Sequence, residues 1–310
     1  EDTMGDAFVD TLEFFPRGLV YVGLGVVVLL LAKLVQDYLT PYRINDQISH
    51  KNNTALGLSI TGYYLGIIIV FLGSLYQPLT VIQDDQWKFT GDFGFDVLEV
   101  FLYSLAGIVV LNIARILVDK LVLYKFDTEK EIIEDQNPGT GAVEFGVYVA
   151  VGLIIAASSA GAGTGGGGTD TVSIADSVLR SLAFLGLGIV VLVLYTFFYQ
   201  FTTAYDIHEE IKQNNVAVGV ALSGNLIAIG LVVFKAIFGE FVGWNESLAA
   251  FLTFAVLGFV ILYVVRRLVD LILLPSTKIS HELAVDRNLG VAFIVSVVVI
   301  SVALILNFAI

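Results

Sequence analysis

The chain has 310 residues, 57% of them hydrophobic and 15% charged, with a mean hydropathy of +0.86. Soluble domains carry about 25% charge, so this composition excludes an ordinary globule and points to a multi-spanning membrane protein. The absence of Cys and the presence of only three His remove disulfides, thiolate chemistry and a His-rich metal centre, and a net charge of −13 argues against nucleic acid as a partner.

Crossing a bilayer as helix takes about 20 mostly apolar residues, and eight stretches qualify. The first, about 18–38, follows an acidic leader with no small-residue cleavage pattern, so it is read as a span and not a signal peptide. Met4 is the only Met, so the chain is expected to begin past its initiator. Lys33 and Asp37 end this span, four apart on one helical face. A polar connection with Gln47 and His50 leads to Asn53 and a span at about 54–76. The third span, about 97–121, ends in Arg115 and Asp119, and the segment 126–135 (FDTEKEIIED), with Glu131, reads as a short amphipathic interfacial piece.

Asn137-Pro138 then opens the approach to the fourth span, about 142–159, which holds Glu144 within it. No other hairpin has a charge at that position, which makes Glu144 the sharpest single candidate for function. Residues 158–171 (SSAGAGTGGGGTDT) read as a flexible linker. Its GxGxxG string follows no strand and carries no nucleotide site. The fifth span, about 178–201, ends in Tyr195, Tyr199 and Gln200 instead of a charge pair. Glu209 precedes Asn215 and a span at about 216–238; the next span, about 248–273, holds Arg266 and Asp270. Glu282 precedes Asn288 and the last span, about 289–309.

These spans form one helical hairpin used four times in the same orientation. Asn53, Asn137, Asn215 and Asn288 recur at spacings of 84, 78 and 73 residues, each followed by Gly or Ala at the second and fourth positions. Six residues before them stand Gln47, Glu131, Glu209 and Glu282, and nine after stand Gly62, Gly146 and Gly224, with Val297 the exception. Asn is a favoured helix N-cap and Pro fits the first helical position, so the Asn are expected to start the even-numbered spans. The architecture expected is all-α: a first four-helix unit in 1–157, the linker 158–171, and a second unit in 172–310. Lys and Arg number twelve around the Asn-bearing connections and four on the opposite side, which places the connections in the cytoplasm and both termini outside. The outward acids fit either a face that attracts cations or adaptation to a salty exterior, and their scatter favours the second.

The run Tyr205-Asp206…Glu209-Glu210-Ile211…Asn215-Val-Ala217-Val-Gly219…Gly224 resembles the signature of the membrane family called domain of unknown function 350, and Tyr42…Asn53…Gly62 is a weaker copy. Gln47 in place of an acid and Pro138 after Asn137 depart from that pattern. The resemblance implies a prokaryotic inner-membrane protein of two tandem units. It brings no chemistry, so no catalytic residue is carried over.

Two functional expectations follow. In the first, the chain is a channel or ion-coupled transporter for a small cationic solute, with Glu144, Glu131, Glu209, Glu282 and Gln47 along the path and Lys33/Asp37, Arg115/Asp119 and Arg266/Asp270 as gating charge pairs. In the second it is a non-catalytic membrane scaffold whose small-residue seams dock other copies or other membrane subunits. The cation–acid pairs also read as self-neutralised anchors at the interface, and the Glu as solvated or capping groups. The His read as surface groups and not as metal ligands. No enzyme chemistry, cofactor or metal is expected, and the bilayer is the one certain partner.

Overall fold

The computed structural model describes residues 4–75, 81–83, 86–88, 93–125, 127–160, 174–239, 241–272 and 277–309. Among the described residues, eight long helices are apolar enough to cross a membrane. In chain order the elements are α1 (Met4–Leu39), α2 (Ile44–Ser49), α3 (Thr54–Leu75), β1 (Val81–Gln83), β2 (Gln86–Lys88), α4 (Phe93–Val122), α5 (Thr128–Ile133), α6 (Pro138–Ala160), α7 (Ile174–Thr202), α8 (Ile207–Lys212), α9 (Val216–Ile237), α10 (Trp244–Ile272), α11 (Ile279–Ala284) and α12 (Leu289–Ala309). Each hairpin is therefore a long helix, a six-residue helix and a second long helix.

The second helices of the four hairpins pack side by side in the order α3, α6, α9, α12. Their composition explains why. Helices in lipid gain nothing from hiding Leu from Leu, so association depends on close backbone approach through small residues. A side chain at Gly152 would stand 2.8 Å from the Gly66 backbone, and one at Gly146 would stand 2.7 Å from Ser223 Cα. Gly230 faces Ala150 at 2.8 Å in the same way. The seams are thus closed backbone to backbone. Helices α6 and α9, in the middle of the row, are the most buried spans.

The first helices, α1, α4, α7 and α10, lie against this row, and α4, α7 and α10 each bridge two of its members. They present large apolar side chains outward, such as Leu30, Val109, Leu194 and Val256, where hydrocarbon is the solvent. Where α4 and α10 cross the row, Gly107 and Gly258 receive Val70 and Val232.

Two features lie outside the sequence reading. Between α3 and α4 a small antiparallel pair, β1 and β2, sets Ile82 opposite Trp87, so the loop is not wholly irregular. Helix α6 starts at Pro138 and runs to Ala160, so Ser158, Ser159 and Ala160 belong to the helix and not to the linker. Each Ser hydroxyl folds back onto the Ile155 carbonyl at 3.0 Å, which lets helix continue where composition suggested a break. The Gly-rich remainder of the linker, 161–171, lies outside the described residues.

Candidate functional site

The recurring Asn sit together at one end of the row, each at the start of its even-numbered span. The residue before each one has a left-handed backbone: Asn52, Gln136, Asn214 and Arg287, with φ of 51°, 47°, 60° and 51°. Such a residue ends the six-residue helix and swings the chain into the next span. Each Asn Oδ1 then accepts from the first turn of that span: Leu56 N at 3.0 Å from Asn53, Gly139 N at 2.9 Å from Asn137, Val218 N at 3.3 Å from Asn215 and Val291 N at 3.3 Å from Asn288. In a membrane an uncapped amide end is costly, so this acceptor is a structural requirement.

The amide side of the same residue ties hairpins together. Asn53 Nδ2 donates to the Ile132 carbonyl at 2.8 Å, Asn137 to Ile211 at 2.7 Å and Asn215 to Leu283 at 2.9 Å. Each acceptor is the fifth residue of the six-residue helix in the following hairpin. The second amide hydrogen goes to a side chain of its own connection: Gln47 at 3.3 Å, Glu131 at 2.8 Å, Glu210 at 2.9 Å and Glu282 at 2.9 Å. One Asn thus caps its own helix, locks its own connection and grips the next hairpin.

Here the expected repeat position is corrected in the third hairpin. Glu209 is exposed and its carboxylate accepts from Gln213 and not from Asn215, while Glu210 holds Asn215 through both its carboxylate and its carbonyl. The partner is always the fourth residue of the six-residue helix, and α8 is followed by one residue fewer before its Asn. Counting back from the Asn therefore lands one residue early.

Gln47, Glu131 and Glu282 are bound into these caps, and none of them stands apart as a free acidic ring. The hydrogen bond from Asn288 holds the Glu282 carboxyl below the usual carboxylate range.

Glu144 is 1% exposed, two turns past Asn137 on α6, and accepts the hydroxyl of Ser59 from α3. Three residues of that neighbourhood form a further polar cluster: Asn112 Nδ2 donates to Tyr63 Oη at 3.0 Å, Tyr63 donates to the Ala32 carbonyl at 3.3 Å, and Tyr63 meets Tyr148 edge to face at 5.2 Å. In the second half Tyr195 Oη donates to Asn225 at 3.0 Å. Asn112 and Asn225 thus tie neighbouring helices together. Ser59, Tyr63 and Tyr148 were not singled out by the sequence reading, because a hydroxyl in a span has no spacing signature.

The charge pairs do not behave as pairs where they are described. Arg266 lies over the Tyr199 ring at 4.5 Å, while Asp270 accepts Ile279 N at 2.8 Å and caps α11. Asp37 is exposed and Lys33 half-buried, with no ion pair between them among the described residues. The side chains of Arg115 and Asp119 lie outside the described residues.

Among the described residues a cross-hairpin ion pair forms between Lys125, just past α4, and Asp206, the N-cap of α8. The hydrogen bond from Lys125 holds the Asp206 carboxyl below its usual range. Beside it, burial pushes the His208 imidazole pKa down while its Nε2–H meets the Val122 carbonyl at 2.6 Å. His281 instead lies at 3.0 Å from Asp286, and no group of three or more His, Asp or Glu fit for a metal occurs among the described residues.

The family model described as Domain of Unknown Function (DUF350) matches this chain twice, over residues 10–159 and 173–310. A "UPF0719 transmembrane protein" of Aquifex aeolicus (strain VF5) is 27% identical over 267 residues, covering 85% of this chain and 88% of the relative. "UPF0719 transmembrane protein YshE" of Bacillus subtilis (strain 168) is 31% identical over 117 residues, 37% of this chain but 83% of the relative. No solved structure matches.

Proposed function

We propose that this chain, which belongs to the Domain of Unknown Function (DUF350) family, is a non-catalytic structural subunit of a membrane assembly. The observation that carries the proposal is the closure of the row. Its seams meet backbone to backbone at Gly66/Gly152, Gly146/Ser223 and Ala150/Gly230. The polar repeat at its end is spent on caps and cross-hairpin bonds. A solute path needs polar groups facing a wetted space, and these groups face each other. Among the described residues the row leaves its two outer helices, α3 and α12, with a row neighbour on one side only, and these ends serve as surfaces for assembly. In this reading the Asn-bearing connections lie in the cytoplasm, on the side of the Lys and Arg excess.

A second reading keeps Glu144 as a cation or proton site, because its carboxyl is buried inside a span against Ser59. One measurement separates the two. Reconstituted in liposomes, the chain is expected to give no Na+, K+ or H+ flux above protein-free vesicles. Flux that disappears in Glu144→Gln would overturn the assembly reading and establish the second.

A further inference from the structure

We propose that the row of inner helices is continued by a second copy of this chain, with α12 of one copy packed on α3 of the next and the reverse junction closing a two-chain ring. The proposal deepens the assembly reading by naming the partner at the row's ends, and it rests on that reading.

The argument is continuity with three seams that already exist. In each, the same positions counted from the Asn face the following hairpin, and another fixed set faces the preceding one. The ninth residue after the Asn meets the eighth of the next unit, as Gly62 on Phe145, Gly146 on Ser223 and Gly224 on Ser296. The fourth residue meets the second of the preceding unit, as Gly141 on Ala55 and Gly219 on Gly139. At the two ends of the row these positions lie open. Thr61 and Gly57 on α3 are the eighth and fourth residues of the first unit. Thr61 is exposed, and a side chain at Gly57 would meet nothing within 4 Å. Val297 and Gly290 on α12 are the ninth and second residues of the last unit, and Val297 is 61% exposed. At Gly290 a side chain would meet only the oxygen of Asn288, within its own unit.

The hydrogen-bond staple is open in the same sense. Asn288 is exposed, caps Val291 and donates to Glu282, and its second amide hydrogen has no acceptor among the described residues. Its three counterparts all give that hydrogen to the fifth residue of the next six-residue helix. The fifth residue of α2 is Ile48, whose carbonyl receives no Asn amide. Ile48 is 38% exposed, where Ile132, Ile211 and Leu283 are 2%, 0% and 1%. Donor and acceptor of a missing fourth staple thus stand at opposite ends of one molecule. An interface between unlike faces closes into a ring when each step turns by the right angle. At about 100° per residue, the forward pair (second and ninth) and the backward pair (fourth and eighth) centre roughly 130° apart around the helix, a turn of roughly 50° per unit. Two copies of four units close with about 45° per unit, within the scatter of such packing.

The similarity of a single-unit relative fits this. The Bacillus subtilis protein matches over 83% of its length yet covers only 37% of this chain, the extent of one unit. The α6–α9 seam that joins the two halves here is already one such unit end docked on another. Val297 in place of Gly widens the seam between copies relative to the three internal ones.

The chain has no Cys, so Thr61→Cys with Val297→Cys introduces the only thiols, at positions whose internal counterparts bring side chains within disulfide reach. Oxidised in its membrane, the double variant is expected to run as a covalent dimer on denaturing gels, and the two single variants only when co-expressed. Adding Asn288→Leu should lower the yield roughly tenfold, the weight of one bond left unmade in a desolvated seam. A crosslink within one chain, Val297→Cys joined to itself, or free thiols throughout would overturn the proposal. Free thiols in a chain that still co-migrates with a different membrane protein would sink this seam while the assembly reading stands.

Discussion

Replacing Asn137 by Ala should cost far more than the same change at Asn288, although the two residues occupy equivalent places in the repeat. Both lose an N-cap, at about 1 kcal/mol. At Asn137 the change also strips the donor from the Ile211 carbonyl and from the Glu131 carboxylate, bonded at 2.7 and 2.8 Å in a buried seam. A buried acceptor left unmade costs about 1–3 kcal/mol. The expected loss is therefore roughly 3–7 kcal/mol for Asn137→Ala and about 1 kcal/mol for Asn288→Ala in the dispersed monomer. Asn137→Asp keeps the capping oxygen but removes the donor and sets a second carboxylate beside Glu131, so it should be at least as harmful as Ala. Unfolding by SDS titration in mixed micelles, read by Trp fluorescence, measures all three. Equal costs at 137 and 288, or an Asp variant that matches the wild type, would refute the staple.

Gly146→Val should destabilise the α6–α9 seam by about 3 kcal/mol or more, because Ser223 Cα lies 2.7 Å from where its Cβ must go, whereas Gly186→Val, open to 4 Å, should be nearly silent in the same titration. Glu210→Ala should cost about 1 kcal/mol through its bond to Asn215, and the exposed Glu209→Ala close to nothing; the reverse order would undo the register assigned to α8. His208 has its pKa lowered by burial, so below about pH 6.5 the unfolded chain takes up a proton that the folded one resists. Stability should then be full above that pH and fall as pH drops toward 5. His208→Phe should flatten the slope, as measured by thermal unfolding in detergent at pH 7.5 and 5.5.

The eight spans were legible in the residues because each depends on local composition, and the family was legible in the resemblance carried by the run from Tyr205 to Gly224. Twenty apolar residues have one stable conformation in lipid, and a cap must stand at a helix start. The sequence alone therefore determined that Asn53, Asn137, Asn215 and Asn288 begin helices, that the Gly and Ala after them mark close packing, and that Glu144 is singular.

Tertiary structure alone decided where those helices meet. The second acceptors of the Asn are backbone carbonyls, Ile132, Ile211 and Leu283, and a carbonyl has no residue identity to read. One missing residue after α8 moved the role from Glu209 to Glu210, a change visible in helix register and not in a count from the Asn. Arg266 and Asp270 share a face four residues apart, yet Tyr199 and Ile279, brought from other helices, draw them to separate partners. The order of the row also came only from packing, since four similar hairpins admit several arrangements. Backbone contact at Gly146 and Gly152 selects one of them, and leaves Asn288 at its open end.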